Sequence, residues 1–220
     1  MRTAACTVVA ALLALLNAPK AHAETSNRPS SRFHAGIGFG SLGGPSYLSI
    51  DHGRWLDEHG SINITFNADY VHGLLPYFGL GLFAGVGTGG ASWSLDRGES
   101  RSRAQFALGP VFIAPFPGAP GTELRIGLPV GYTYAWFNPA KGRAVKETFS
   151  NGHGMNAALV VGVDITGKHH GAFVDLAYAL NLTWLTHTAT LKSDPSVRSQ
   201  QEHRYFEHGL MLGAGYVYRF

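Results

Sequence analysis

Seven charged side chains stand inside stretches that are otherwise apolar or rich in glycine: Asp69, Glu123, Arg125, Asp164, Asp175, Glu207 and Arg219. Each lies on the face opposite a row of large apolar residues. Between Thr122 and Phe137 one row is Leu124, Ile126, Leu128, Val130, Tyr132, Tyr134 and Trp136. The other carries Glu123, Arg125, Gly127, Gly131 and Thr133. Carboxylates and guanidinium groups confined to an inner face must pair, because breaking up a buried ion pair is strongly unfavourable. Their first reading is a structural plug of salt bridges. The functional counterpart is a gated path for ions or protons. Glu123, Arg125, Asp164, Asp175 and Arg219 fall toward one end of the alternating stretches, the end nearest the chain termini.

Eleven histidines raise the question of metal binding. His153, His187, His203 and His208 lie near one end of their stretches; His72, His169 and His170 lie near turns at the other. Spacing and geometry identify a metal site, and no pair here has ligand spacing on one face. No metal and no cofactor is expected. Aromatic and basic residues in the polar connections form a third group: Tyr47, Trp55, Trp93, Arg97, Arg101 and Arg103. Such residues suit ligand contact, and equally an interfacial aromatic girdle or contacts to lipid phosphates.

The elements that must position these groups are strands. From Phe206 to Phe220 the even positions are nearly all apolar, and the odd positions are smaller or charged. A period of two is a strand with two different faces. The same alternation predicts strands near Phe33–Gly40, Ser61–Val71, Tyr77–Gly87, Ala104–Ala114, Thr122–Phe137, His153–Thr166 and Ala172–Thr190, eight with the last. Gly43-Gly44-Pro45 interrupts the first, and Leu48 and Ile50 then restore apolar residues in the opposite parity. A bulge there, or an early start to the loop, accounts for the flip. Pro110 and Pro129 likewise suggest bulges. In the third strand Gly79, Gly81, Gly85 and Gly87 share a face with Phe83; small inward residues leave room for large ones from across a narrow barrel. Connections alternate long and short. Asn138–Gly152, Gly89–Arg103 and Leu191–Glu202 are long and polar, whereas His72–Pro76, Pro115–Gly121 and Gly167–Gly171 are short.

Composition fits that plan. Charged residues make up 14%, low against about 25% in soluble domains. Glycine occurs 29 times, and Phe, Tyr and Trp contribute 13, 9 and 4 residues. No stretch beyond the N-terminus offers the roughly 20 apolar residues of a membrane-spanning helix. Residues 1–23 have the form of a secretory signal: basic Arg2, apolar Ala4–Leu16 and the small-residue site Ala21-His22-Ala23. Cleavage after Ala23 removes Arg2 and Lys20, so 15 of the 17 basic residues remain against 14 acidic ones. That balance gives no reason to invoke nucleic acid. The sole cysteine, Cys6, lies within the signal, so no disulfide is expected. Residues 24–32 read as a polar periplasmic lead-in, and 33–220 as one domain.

The chain resembles the small eight-stranded outer-membrane barrels, the group of the OmpA transmembrane domain and its OmpX-like relatives. The resemblance rests on Gly36, Gly38 and Gly40 in the first strand, on Tyr77-Phe78-Gly79-Leu80-Gly81 after a short turn, and on Tyr216, Tyr218 and Phe220 at the end. It implies an all-β, eight-stranded antiparallel up-and-down transmembrane barrel. It further implies a monomer in an outer membrane of Gram-negative type, contacting outer-membrane lipid and lipopolysaccharide. In that group the closing aromatics are read by the barrel-assembly machinery, a role the resemblance places on Tyr216, Tyr218 and Phe220. No peptidoglycan-binding domain follows, so wall anchoring is not implied. The expected role is structural or one of surface interaction, without enzymatic activity. The rival class is a lipid A deacylase or acyltransferase, which needs a Ser and a His within hydrogen-bond reach. His153 and His208 have no Ser two residues away on an outward face, and Ser150 has the inward parity in a loop. An adhesin acting through external loops, or a narrow ion channel, are the further alternatives.

Overall fold

The computed structural model describes residues 30–48, 55–90, 100–138 and 145–220. Ten strand segments follow in chain order: β1 (Arg32–Leu48), β2 (Trp55–Leu75), β3 (Phe78–Gly90), β4 (Ser100–Pro115), β5 (Thr122–Gly127), β6 (Val130–Asn138), β7 (Val145–Phe149), β8 (Gly152–Thr166), β9 (His170–Leu191) and β10 (Arg198–Arg219). All pairings are antiparallel between neighbours, and β1 pairs with β10, which closes the ring. β5 and β6 share one wall position, since both pair with β4 and with β8. β7 and β8 share another, both lying against β9. The ring therefore has eight positions, as the alternation predicts.

The outward rows are apolar and exposed: Ile37, Phe39, Phe66, Leu82, Phe106, Leu108, Val130, Leu176, Leu210 and Leu212. Among the described residues the buried side chains are those that fill the lumen. Glycines on the inward rows make the room. A Cβ on Gly36 would stand 2.7 Å from the Phe173 ring, and one on Gly81 2.6 Å from Phe83.

Three details depart from the sequence reading. β1 keeps an unbroken register with β10 through Leu48, so its faces do not flip at the glycine pair. The extra residue lies in β2, where the partner shifts from Ser61 to Glu58 as β1 advances from Leu42 to Gly44. Apolar residues of the inward parity do occur at that end, since Leu42, on the inward row, is 4% exposed; Ile50 lies outside the described residues. The prolines need no bulge either. The β4 register to β3 and to β5–β6 is continuous across Pro110 and Pro129. Leu128 N–H donates to Pro110 O at 3.1 Å, and Ala158 N–H to Pro129 O at 3.0 Å. Each proline withholds one donor from its rung and displaces nothing. Thirdly, the long connections are partly sheet: β4 begins at Ser100, β7 lies within the expected 138–152 loop, and β9 and β10 leave only 192–197 between them. A one-residue register shift does occur between β7 and β8. There Thr186 N–H donates to Ser150 Oγ at 2.7 Å, and Ser150 N–H to Thr186 O at 2.8 Å.

Candidate functional site: the lumenal ion network

At the end that holds Arg32, Arg219 and the short turns, six strand segments aim charges into the lumen. Arg32 on β1 places Nη1 2.6 Å from Glu123 Oε2 and 3.2 Å from Asp164 Oδ2. His34, two residues on and fully buried, has Nδ1 2.7 Å from Asp69 Oδ1 and Nε2 3.0 Å from Asp164 Oδ2. Arg125 grips Asp175 with Nη2, at 2.8 and 2.9 Å from its two oxygens. Its Nη1 lies 3.6 Å from Asp69 and its Nε 3.5 Å from Asp164. Arg219, at the rim, reaches Glu123 at 3.7 Å. The Phe173 ring supports the cluster. It meets His34 edge-on at 5.3 Å and lies 5.6 Å below the Arg125 guanidinium.

Carboxylates only accept hydrogen bonds. With both ring nitrogens facing carboxylate oxygens, the geometry suits the imidazolium form of His34, which donates from both. The charges then balance: Arg32, His34, Arg125 and Arg219 against Asp69, Glu123, Asp164 and Asp175. Charge balance and close pairing are the conditions under which ions tolerate removal from water. The engagement is not complete, since Arg32 Nε makes no hydrogen bond and Arg125 Nε and Asp164 Oδ1, 3.5 Å apart, make none either. Its members come from β1, β2, β5, β8, β9 and β10, so it braces the ring across its diameter. Val71, Val111 and Ile113, with Phe83 packed on them, fill the lumen beside it.

A second layer lies toward the other end. Arg103 Nη2 is 3.3 Å from Glu207 Oε2 and donates to Asn63 Oδ1 at 3.1 Å. Gln105 bonds Asn181 across the lumen. Ala135, Leu185 and Tyr205 form an apolar group beyond. Between the two charged layers is a cavity of about 170 Å³, lined among others by Asn67, Phe83, Asn156, Phe173, Ala177 and Met211.

Of the seven charges expected inside, Asp69, Glu123, Arg125, Asp164, Asp175 and Glu207 lie in the lumen and Arg219 at its rim. Glu207 belongs to the second layer, whereas the other six share the first. Two members were missed. Arg32 falls at the end of the 24–32 lead-in, and His34 is a lone polar residue between apolar ones. Both share the parity of Gly36, Gly38 and Gly40, which is the signal that places them inward. Arg103 is a correction: expected in an external loop, it is 6% exposed on the inward row of β4. The parity it shares with Gln105 and Ala107 explains this. Of the other expected external contacts, Tyr47 and Trp55 are paired on β1 and β2, and Arg101 lies on β4 opposite Gly89. Trp93 and Arg97 lie outside the described residues, as do the signal and residues 24–29 of the lead-in.

The outward histidines are engaged with tyrosines. Tyr178 Oη and His208 Nδ1 share a hydrogen bond of 2.8 Å, and Tyr132–His153 and Tyr216–His170 are similar pairs. At the closing end Phe220 packs edge-on against Tyr218 at 4.9 Å and Tyr70 at 6.1 Å, and its N–H donates to Ser31 O at 3.0 Å. Among the described residues, no three of His, Cys, Asp and Glu are grouped to hold a metal ion.

A closed, antiparallel, up-and-down barrel with an apolar exterior and a polar lumen defines the fold class of the outer-membrane β-barrel proteins. No protein-family model matches the chain, and no curated protein matches it. Among solved structures it is similar to the outer membrane protein OprG from Pseudomonas aeruginosa, at 13% identity over 88% of this chain and 97% of that one, TM-score 0.55. It is similar also to the outer membrane protease OmpT from Escherichia coli, at 12% identity over 90% and 99%, TM-score 0.53. A third is a major outer membrane protein from Thermus thermophilus, at 16% identity over 86% and 99%, TM-score 0.50. At such identities the likeness is one of fold.

Proposed function

We propose that this chain is an integral outer-membrane barrel of the small eight-stranded kind, with a structural or surface-interaction role and a lumen plugged by its own side chains. The observation that carries this reading is the pairing of two opposite surfaces on one wall. The outside presents exposed Ile37, Phe66, Leu82, Phe106 and Leu176, and the inside buries a cluster of ion pairs around His34 and Arg125. In water that exterior would be an aggregation hazard; in a bilayer it is the solvent-matched face. Residues 1–23 direct export, and Tyr216, Tyr218 and Phe220 serve as the barrel-assembly signal of OmpA- and OmpX-like proteins. The protein acts as a monomer without cofactor, surrounded by outer-membrane lipid and lipopolysaccharide, and catalyses no reaction. In support, the hydroxyl of Ser150 accepts a backbone hydrogen bond at the register shift, and His153 is engaged by Tyr132.

The test is heat-modifiable gel mobility of the detergent-folded protein, together with fractionation of expressing cells and single-channel recording. A folded species of altered mobility in the outer-membrane fraction, with no sustained conductance, is expected. A mature chain that stays compact and monomeric in plain buffer overturns the reading; steady conductance would favour the narrow-channel alternative.

A further inference from the structure

The outward row of β9 changes character along its length. Val174, Leu176, Tyr178, Leu180 and Leu182 end at Trp184, and from there the row reads Thr186, Thr188, Thr190. The sheet continues past the girdle, with β10 on one side and β7 on the other. Its outward rungs are Arg204 beside Trp184, Glu202 beside Thr186, Gln200–Thr188–Thr148, and Arg198–Thr190–Lys146. Lys192 follows two residues beyond Thr190 at the turn. Arg204 is paired with Glu202 at 3.0 Å, and Asp194 is engaged by Ser196. Lys146, Lys192 and Arg198 are exposed and have no acidic partner among the described residues.

This polar face stands directly above a lipid-facing one, on the same side of the same sheet. Six residues separate Trp184 from Thr190, a rise of about 20 Å along the strand. Whatever lies beside it is the upper part of the molecules that surround the barrel, their headgroups and sugars. Three such cations around a threonine hydroxyl complement phosphate, and a row of hydroxyl and amide side chains complements sugar. We infer that this face of β7, β9 and β10 is a docking surface for the phosphorylated sugar headgroups of outer-leaflet lipopolysaccharide, with Lys146, Lys192 and Arg198 as the phosphate contacts. The inference rests on the outer-membrane reading and names the partner of that surface. The three cations take the place of divalent ions that otherwise bridge neighbouring phosphates, so association persists in chelator.

The experiment uses the full mature protein folded in detergent and purified lipopolysaccharide, native or dephosphorylated, in the presence of EDTA, with phosphatidylglycerol as the competing anionic lipid. Each Lys or Arg near an anionic surface contributes roughly a fivefold factor. The variant Lys146→Gln/Lys192→Gln/Arg198→Gln therefore binds native lipopolysaccharide on the order of a hundredfold more weakly, and dephosphorylation weakens wild type comparably. Affinity falls with added salt. Equal binding by the triple variant, by dephosphorylated lipopolysaccharide, or by phosphatidylglycerol overturns the assignment. Heat-modifiable mobility is recorded for every sample. A protein that folds in detergent but fails to discriminate refutes this surface alone, whereas one that never folds in detergent refutes the outer-membrane reading beneath it.

Discussion

His34 and Asp164 are 130 residues apart in the chain and 3.0 Å apart in the lumen, through Nε2 and Oδ2. They come from β1 and β8, on distant parts of the ring, and Asp69 takes the other nitrogen of the same imidazole. The ring is therefore a strut between two carboxylates. A His34→Leu substitution keeps much of the volume and takes the shared hydrogen-bonding partner from both acids, leaving Asp164 to Arg32 and Arg125 and Asp69 to the more distant Arg125. Removing one partner of a buried ionic cluster costs about 3–5 kcal/mol. The folded band in detergent gels should be lost at correspondingly lower urea, with Asp164→Asn in the same background recovering part of the loss. A His34→Leu protein as stable as wild type would remove His34 from the brace.

The bidentate Arg125–Asp175 pair, at 2.8 and 2.9 Å, contrasts with Arg204–Glu202 at 3.0 Å, whose side chains are 41% and 52% exposed. Geometry at the closest contact is similar, so solvent decides the difference. Exposed pairs are worth at most about 1 kcal/mol. Groups sharing a buried network couple by up to about 3 kcal/mol. Double-mutant cycles with Arg125→Met/Asp175→Asn and Arg204→Met/Glu202→Gln, read by equilibrium unfolding, should give a clearly larger coupling for the first. Equal couplings would mean that water reaches the lumenal pair as freely as the outer one.

Gly162 and Gly213 both face the lumen near Asp175, yet they differ in room. A Cβ on Gly162 would collide with Asp175 Oδ1, the oxygen held by Arg125. One on Gly213 would have Asp175 Cβ at 3.6 Å as its nearest neighbour. Gly162→Ala should therefore destabilise by about 1–3 kcal/mol, as overpacking does, and Gly213→Ala should leave stability close to wild type. Thermal loss of the folded gel band compares the two directly.

Much of this was legible in the residues because a period of two assigns each side chain to a face, and glycine with sparse charge on one face of strand after strand, opposite rows of large apolar residues, suits the inside of a narrow barrel. What stayed hidden had specific causes. His34 looks like one polar spacer among glycines, and nothing local says that Asp69 and Asp164 will close on it; that is a property of ring closure. Arg103 sits in a run of charges that reads as a loop, and only the continuation of β4 beyond the girdle turns it inward. Leu48 reads as a change of face, yet the β1–β10 register runs on to it unshifted. The charge content of Asn138–Gly152 and Leu191–Glu202 likewise reads as loop, although β7, β9 and β10 run through them as sheet, since a strand above the membrane has no apolar row to announce it.

Asp194 lies in the turn between β9 and β10. The Ser196 hydroxyl donates to its Oδ1 at 2.6 Å and the Ser196 N–H at 3.0 Å, and these bonds to the charged form hold its carboxyl below the usual carboxylate range. A depressed carboxylate contributes to the folded turn above its unfolded pKa and loses that contribution as pH falls through the folded value. Carbon NMR titration of Asp194 should show ionisation at lower pH than a free aspartate. Ser196→Ala, which keeps the backbone donor, should bring it partway back. An unchanged titration in the variant would show that the hydroxyl is spectator to the turn.

Pro129 and Ala158 face each other on β5–β6 and β8 with a single hydrogen bond, from Ala158 N–H to Pro129 O. If the wall runs straight through this rung, a residue with an N–H at 129 finds the Ala158 carbonyl already in place. If the proline instead marks a displaced backbone, the new donor finds nothing. Pro129→Ala should therefore carry an amide at 129 that exchanges as slowly as its ladder neighbours. A gain of about 1 kcal/mol from the added hydrogen bond is offset by the greater freedom of the unfolded chain without proline, so stability should move little. Hydrogen exchange separates the two geometries where stability cannot: rapid exchange at 129 would mean that the register is broken there after all.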